Sequence, residues 1–161
     1  MEAVSEGRYL MNEKDYRDKI EKVYQALFRI ALGILRNEQD AADCLQEAVF
    51  KGWIKRKQLK NPESFRTWMT RITITEARNL QRKLIRQRKT PPAPAPRIST
   101  GVRSALFSIP EKYRIVLILF YMEGYSTREI AQMLQIPEGR LRERMRAGRE
   151  KIRRLMEDGE N

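Results

Sequence analysis

The chain has 161 residues, 41% of them hydrophobic, so it can bury one ordinary core or two small ones. With one cysteine and no histidine, it has neither an internal disulfide nor a Cys/His zinc site, and no histidine base for catalysis. The sequence shows no signal-peptide core and no apolar run of about 20 residues. We therefore expect a cytoplasmic protein that is not an enzyme, uses no cofactor and inserts into no membrane.

Charge is unevenly distributed along the chain, whose overall net charge is +12. Residues 1–50 carry a net charge of −3, residues 51–100 carry +12 and residues 101–161 carry +3. A middle segment this basic suits a polyanionic partner, and the acidic first third suits a different one. A solvated basic surface with no partner is the alternative.

The first third shows helical periodicity. A helix is predicted from Tyr16 to Leu35, and a second, capped by Asn37, from about Glu38 to Ile54. The predicted buried stripe of the first helix consists of Ile20, Val23, Tyr24, Leu27, Phe28, Ala31, Ile34 and Leu35. The predicted core face of the second consists of Ala41, Leu45, Ala48, Val49 and Trp53, with Cys44 buried beside it.

A third helix is predicted to open at Asn61–Pro62, because Asn caps helices and Pro tolerates the first turn, and to end within Arg86–Lys89. Its predicted core side consists of Phe65, Trp68, Met69, Ile72, Leu80 and Leu84. The following run, Thr90–Pro96, is too rich in proline for a helix or a central strand, so it predicts an extended linker and a domain boundary.

Four further helices are predicted after the linker: near Val102–Ser108, at about Glu111–Glu123, from Ser126 to Leu134, and at about Glu138–Met156. A capping box of Ser126 and Glu129 starts the third of these. The last two have the helix-turn-helix form, although Gln135 stands where such turns often have Gly. Their predicted contact involves Ile130, Ala131, Leu134, Ile136, Leu141 and Met145, and the apolar stripe continues to Ile152 and Leu155, with Gly148 at a close approach.

The outer face of the last helix is rich in arginine. An α-helix fits the major groove of DNA, where Arg can bind guanine and Glu can accept from cytosine. A charged helix on an ordinary bundle is the alternative. The candidate duplex-binding residues are Thr127, Arg128, Arg140, Arg142, Glu143, Arg144, Arg146 and Arg149.

A second basic stripe follows one face of the third helix, at spacings of three and four residues. Cations beside aromatic residues suit single-stranded DNA, although Phe65 and Trp68 favour a core role. A solvated face is again the alternative. The candidate residues of this helix and the loop before it are Lys57, Lys60, Asn61, Arg71, Thr75, Arg78, Asn79 and Arg82, with Lys55, Arg56 and Arg86 adding charge.

The second helix carries acidic side chains and an aromatic one opposite its core face. Such a patch resembles a protein-binding surface, and plain solvation is the alternative. The candidate residues are Asp40, Asp43, Gln46, Glu47 and Phe50.

Five segments carry a resemblance to one family. Leu27–Ala31, Asn37–Ala48 and Phe65–Ile72 resemble region 2 of bacterial sigma factors of the extracytoplasmic-function group. Ile109–Arg114 and the helix-turn-helix resemble region 4 of the same group. The resemblance covers about residues 13–157, including the order of the motifs and the linker between them.

The resemblance implies an all-α fold with two small helical domains joined by the Pro-rich linker. We expect a tail over residues 1–12, a region 2-like domain over 13–89, the linker over 90–101, a region 4-like domain over 102–157 and a tail over 158–161. It implies a sigma factor that binds core RNA polymerase, directs it to promoters and promotes DNA melting. An anti-sigma factor is a further implied partner.

The resemblance also implies a role for each candidate surface. The acidic patch would bind polymerase, the third helix would hold the melted non-template strand at the minus-ten element, and the last helix would read the minus-35 duplex. Thr75 stands where the family often has Asn, and Arg140 and Glu143 stand where small hydroxyl residues are common. A stand-alone helix-turn-helix regulator and a sigma-like protein-binding adaptor are the alternatives.

Overall fold

The computed structural model describes residues 10–87 and 101–159, which contain seven α-helices and no strand. The N-terminal unit consists of α1 (Glu13–Leu35), α2 (Glu38–Ile54) and α3 (Phe65–Gln87), with short 3-10 turns at Arg56–Gln58 and Pro62–Ser64. The C-terminal unit consists of α4 (Val102–Ser108), α5 (Glu111–Leu117), a π-helical turn (Ile118–Met122), α6 (Thr127–Leu134) and α7 (Glu138–Gly159). The all-α prediction is confirmed, whereas the run Thr90–Pro96 lies outside the described residues.

Side-chain capping explains where α1, α2 and α6 begin. The side chain of Asn37 accepts a hydrogen bond from the backbone N–H of Asp40, and Asn12 caps α1 in the same way, so that α1 starts three residues before the predicted Tyr16. The predicted capping box of Ser126 and Glu129 is confirmed at the start of α6.

The N-terminal unit has a core between its three helices at the end where α1 begins. Tyr16, Leu27, Leu45 and Met69 are buried there, and Trp68 is half-buried against them. The prediction that Tyr24 is buried is wrong: it remains 38% exposed. It lies at the edge of a wide apolar stripe, and neither α2 nor α3 covers that edge.

A second, larger core is shared by the two units. It combines Ile30 and Ile34 of α1 and Ile74 of α3 with Ile115 and Ile118 of the C-terminal unit. Close approach is possible because α1 has a glycine at the crossing: a Cβ atom on Gly33 would lie 2.4 Å from Cδ1 of Ile118. The two predicted domains therefore pack directly against each other. The residues at which each domain begins and ends remain a prediction.

The helix-turn-helix is formed as predicted by α6 and α7. Ile130, Leu134, Leu141 and Met145 are buried between these helices and α5. Gln135 makes the turn in the left-handed conformation, with φ of 55°. The prediction that Leu155 is buried is wrong, since it is 41% exposed near the end of α7. None of the described helices is long and apolar enough to cross a membrane.

Candidate nucleic-acid and polymerase interfaces

The apolar face of α7 is buried, and this leaves its polar face toward solvent. Leu141 and Met145 anchor the helix, and Gly148 allows α5 to pack so closely that an added Cβ would lie 3.0 Å from Cδ1 of Leu117. The structure exposes Arg140, Arg142, Glu143, Arg146 and Arg149, and leaves Arg144 half-buried. The predicted duplex-binding side chains of α7 are thus brought together on one helix.

Three side-chain contacts lie at the edges of this face. The hydroxyl of Thr127, the first residue of α6, donates to the carboxylate of Glu138 at 3.3 Å, joining the starts of α6 and α7. Arg149 donates to the hydroxyl of Tyr121 at 3.3 Å. Arg128 is exposed on α6. Arg142 pairs with Glu138 at 3.5 Å, a solvent-exposed contact of little stabilising value that DNA phosphates can replace.

The basic stripe of α3 is exposed along most of its length. Arg71, Thr75, Asn79 and Arg82 face solvent. Arg78 differs, because it is half-buried and its Nε lies 3.6 Å from the carboxylate of Glu111 in the C-terminal unit. The structure therefore places one predicted DNA-binding cation of α3 against an acidic residue of the other unit.

The loop between α2 and α3 combines exposed and anchored polar residues. Lys57 and Lys60 are exposed, and the side chain of exposed Asn61 caps the 3-10 turn by accepting from the N–H of Glu63. Arg56 instead lies over the Trp53 ring at 3.8 Å and donates to the carbonyl oxygens of Met11 and Trp53. It holds the loop in place.

The acidic face of α2 is formed as predicted. Asp43, Gln46, Glu47 and Phe50 are exposed, and Phe50 keeps 58% of its surface accessible despite its apolar side chain. Asp40, at the first turn, is half-buried. An exposed aromatic residue among carboxylates is typical of a protein-binding surface.

A carboxylate between the two units was not predicted from the sequence. Glu123 is 4% exposed, and its carboxylate accepts from Nε of Arg29 at 2.7 Å and from Nη2 of Arg66 at 3.1 Å. Hydrogen bonding to Glu123 raises the pKa of Arg29. Two residues on, the hydroxyls of Tyr125 and Thr70 share a buried hydrogen bond of 2.9 Å. We call these five residues the interdomain clamp.

Arg114, in the Ile109–Arg114 segment, is also buried between the units. Its guanidinium donates to the carbonyl oxygens of Phe107 and Ile109 in its own unit and to that of Gly33 in α1. Burial lowers its pKa to about 10, and the nearby charge of Arg36 acts in the same direction. It still remains a cation at neutral pH, satisfied by three carbonyl groups.

A cavity of about 390 Å³ lies beside Arg114, where α1, α3 and the start of α5 meet. Its apolar lining includes Leu84 and Ile85, and two of its polar lining residues, Arg36 and Glu111, each have a buried atom with no hydrogen-bond partner in the described residues.

The described residues contain no cluster of three or more potential metal ligands.

Comparison with known proteins decides the family. The family model of sigma-70 region 2 matches residues 20–89, and the family model of sigma-70 region 4 matches residues 101–152. The chain belongs to the sigma-70 family, and the relatives that it matches include sigma factors of the extracytoplasmic-function group. It is 28% identical to the extracytoplasmic-function RNA polymerase sigma factor SigW of Bacillus subtilis, over 89% of this chain and 86% of SigW.

Two solved structures share the fold. One is the sigma factor RpoE of Bartonella quintana in complex with the anti-sigma factor NepR, with a TM-score of 0.76, 21% identity, and coverage of 89% of this chain and 98% of that one. The other is CnrH in complex with the cytosolic domain of CnrY, with a TM-score of 0.69, 21% identity, and coverage of 91% and 90%.

Family membership defines the partners of this sigma factor. It binds core RNA polymerase, directs the enzyme to promoter DNA and promotes melting for initiation. The N-terminal unit contains region 2 and the C-terminal unit contains region 4.

Proposed function

We propose that this sigma factor divides promoter recognition between its two regions, with α7 reading the minus-35 duplex and α3 holding melted minus-ten bases. The observation that carries the proposal is the outer face of α7, which presents exposed arginines while the opposite face is buried. A helix of 22 residues is about 33 Å long, enough to lie across the major groove with its first turns against the bases.

Charge would dominate capture of the melted strand by region 2. Phe65 is buried and Trp68 is half-buried against the core, so neither is a free stacking platform. The exposed cations Arg71 and Arg82, with Lys57 and Lys60 of the loop, can instead follow the phosphate backbone. Unstacking costs a few kcal/mol per base, so phosphate contacts shift the equilibrium toward the open duplex only where they are made to the separated strand and not to the duplex.

The acidic face of α2 is the proposed docking surface for core polymerase. Asp43 and Glu47 supply charge at its exposed part, and Phe50 supplies an apolar contact. This face lies on a different helix from the DNA-binding stripe, so both partners can be held at once. Polymerase performs the chemistry, and we infer that the sigma factor itself is not an enzyme and acts in the cytoplasm.

An anti-sigma factor is a further proposed partner. RpoE with NepR is such a complex, CnrH was solved with the cytosolic domain of CnrY, and the cavity beside Arg114 is lined by both regions. A partner seated there would hold the regions together. Changing Ile85, which is 64% exposed at the cavity, to Lys should abolish inhibition by a cognate anti-sigma factor while run-off transcription remains.

Separate variants of the two helices test the division of labour. Arg71→Ala with Arg82→Ala should reduce promoter melting while leaving minus-35 protection in footprints of the holoenzyme. Arg140→Ala with Arg142→Ala should remove minus-35 protection.

Arg153→Ala with Arg154→Ala is the matched control. It also removes two arginines from α7, but both pair with Glu150 in the second half of that helix. We expect normal footprints and melting from this control. Loss of minus-35 protection in the α3 variant, or its persistence in the variant of Arg140 and Arg142, would contradict the proposal.

A further inference from the structure

The centre of the exposed face of α7 carries a carboxylate, although the helix is rich in arginine. Glu143 stands two residues after Leu141 and two residues before Met145, which are both buried. Because two residues correspond to about 200° of helical rotation, Glu143 points away from the buried side. Any partner that lies against the outer face of α7 therefore meets this carboxylate in the middle of the contact.

The carboxylate of Glu143 is unpaired although arginines surround it. Arg140 and Arg146 are exposed and stand three residues before and after it, which places them about 60° to either side on the helix. Within residues 10–87 and 101–159, no side chain forms an ion pair or a hydrogen bond with this carboxylate. Glu138 on the same helix differs, because it pairs with Arg142 at 3.5 Å.

A glycine leaves open space beside Glu143. Gly139 stands one turn earlier on the same face, and no atom lies within 4 Å of the position that a Cβ would take there. The backbone of α7 can therefore come close to the floor of a groove at this point. The major groove of B-form DNA is about 12 Å wide and about 8.5 Å deep, so a central side chain faces base edges while Arg140 and Arg146 face the phosphates of the two walls.

The chemistry of a carboxylate restricts the base that it can bind. An ionised carboxylate only accepts hydrogen bonds, and phosphates repel it. In the major groove, guanine presents the acceptors N7 and O6 and thymine presents the acceptor O4. Adenine has the donor N6, but its acceptor N7 lies next to it and would face the second carboxylate oxygen. Cytosine presents the N4 amino group as a donor, and its edge is therefore the one that suits Glu143 best.

We propose that Glu143 is a specificity-determining residue that selects cytosine at one position of the minus-35 element, by accepting a hydrogen bond from the N4 amino group of the base. The inference rests on the proposed reading of the minus-35 duplex by α7. A duplex with another base at this position leaves the carboxylate unpaired beside acceptors and phosphates. Glu143 thus discriminates by repulsion as well as by attraction.

Selection from a promoter library tests this assignment. Core polymerase is combined with the full chain as wild type, Glu143→Gln or Glu143→Ala, and the library is a promoter of the wild-type holoenzyme with its minus-35 element randomised. Wild type should enrich cytosine at one position. Glu143→Gln should change that preference to adenine, because a carboxamide can accept from N6 and donate to N7, and Glu143→Ala should remove the preference. The preferences at the other positions should stay as in wild type.

Affinities for two defined duplexes measure the size of the effect. The first is the selected promoter, and the second has T·A in place of the C·G pair at the position concerned. Wild-type holoenzyme should bind the second more weakly by on the order of tenfold. Glu143→Ala should bind both about equally, and it should bind the T·A duplex more tightly than wild type does because a repulsive charge is gone.

Glu157→Ala is the matched control, since it removes the same charge from an exposed position near the other end of α7. It should discriminate between the two duplexes as wild type does, and it corrects for the general gain in DNA affinity on loss of a carboxylate. Circular dichroism verifies that each variant keeps its helices, as expected for exposed positions.

Two results would overturn the assignment. One is a wild-type selection without cytosine at the position that the Glu143 variants affect, and the other is an unchanged base preference in both variants. Footprints separate this failure from failure of the proposed function: if minus-35 protection still disappears in Arg140→Ala with Arg142→Ala, α7 reads the duplex without using Glu143.

Discussion

Reversing the charge of the acidic face of α2 should separate polymerase binding from folding. In Asp43→Lys with Glu47→Lys, both altered side chains are exposed. The ion pair lost with Lys51 has N and O atoms 3.9 Å apart at the helix surface and contributes about 0.3–0.5 kcal/mol. The free energy of unfolding should therefore change by less than about 1 kcal/mol.

The expected loss of polymerase affinity is much larger. Like charges placed face to face at an interface cost several kcal/mol. A loss of about 3–4 kcal/mol for the double reversal corresponds to a roughly 100- to 1,000-fold higher Kd, because each 1.4 kcal/mol is tenfold. Competition with a labelled wild-type sigma factor for purified core enzyme measures this change, and chemical denaturation measures stability.

The matched control is Glu157→Lys with Asp158→Lys, which alters the net charge equally at the exposed end of α7. We expect the control to bind core polymerase with nearly wild-type affinity. Equal losses in both double variants would show that net charge, and not the face of α2, determines binding. An unchanged Kd for the α2 variant would refute the docking assignment.

Three further predictions concern region 4 and the cores. Arg144→Ala should weaken specific duplex binding in gel shifts by ~1–3 kcal/mol if the guanidinium contacts a base, whereas a phosphate contact would weaken all sequences alike and reduce the salt dependence. Gly148→Val should lower the free energy of unfolding by about 1–3 kcal/mol in thermal denaturation, because Cδ1 of Leu117 leaves no room for the new side chain. Gly139→Ala, where no atom lies near the added Cβ, should lower it little or not at all, and equal losses in the two variants would contradict the packing. Burial raises the pKa of Cys44 to about 12 from 9.0, so the thiol should resist Ellman's reagent until the protein unfolds, and rapid reaction of the folded protein would contradict burial. Because the thiol loses its proton at a lower pH in the unfolded chain than in the folded one, the contribution of Cys44 to stability should be complete below pH 9 and should disappear as the pH rises toward 12.

Local signals predicted much of the fold. The side chain of Asn37 and the pair of Ser126 and Glu129 make their hydrogen bonds within three residues, so the sequence alone contains both partners. The burial of Leu141 and Met145 followed from spacing along a single helix. Such features need no knowledge of which helices pack together.

Features that depend on packing between distant segments were missed. In the sequence, Glu123 is a polar residue before a glycine and gives no sign of burial, because its partner Arg29 lies 94 positions away. Periodicity likewise marks an apolar stripe without saying how far a neighbour covers it, which is why Tyr24 and Leu155 were misplaced. Arg78 had the right spacing for the basic stripe, but its pairing with Glu111 depends on how the two regions pack.

Promoter opening by purified components tests the central claim most directly. Permanganate reactivity of thymines in the minus-ten element should appear when this sigma factor and core polymerase are present together, and run-off transcripts should start from the same promoter. Neither component alone should produce either signal. If the sigma factor bound the promoter tightly without core enzyme, and core enzyme added neither thymine reactivity nor transcript, the account of a melting-competent sigma factor would be contradicted.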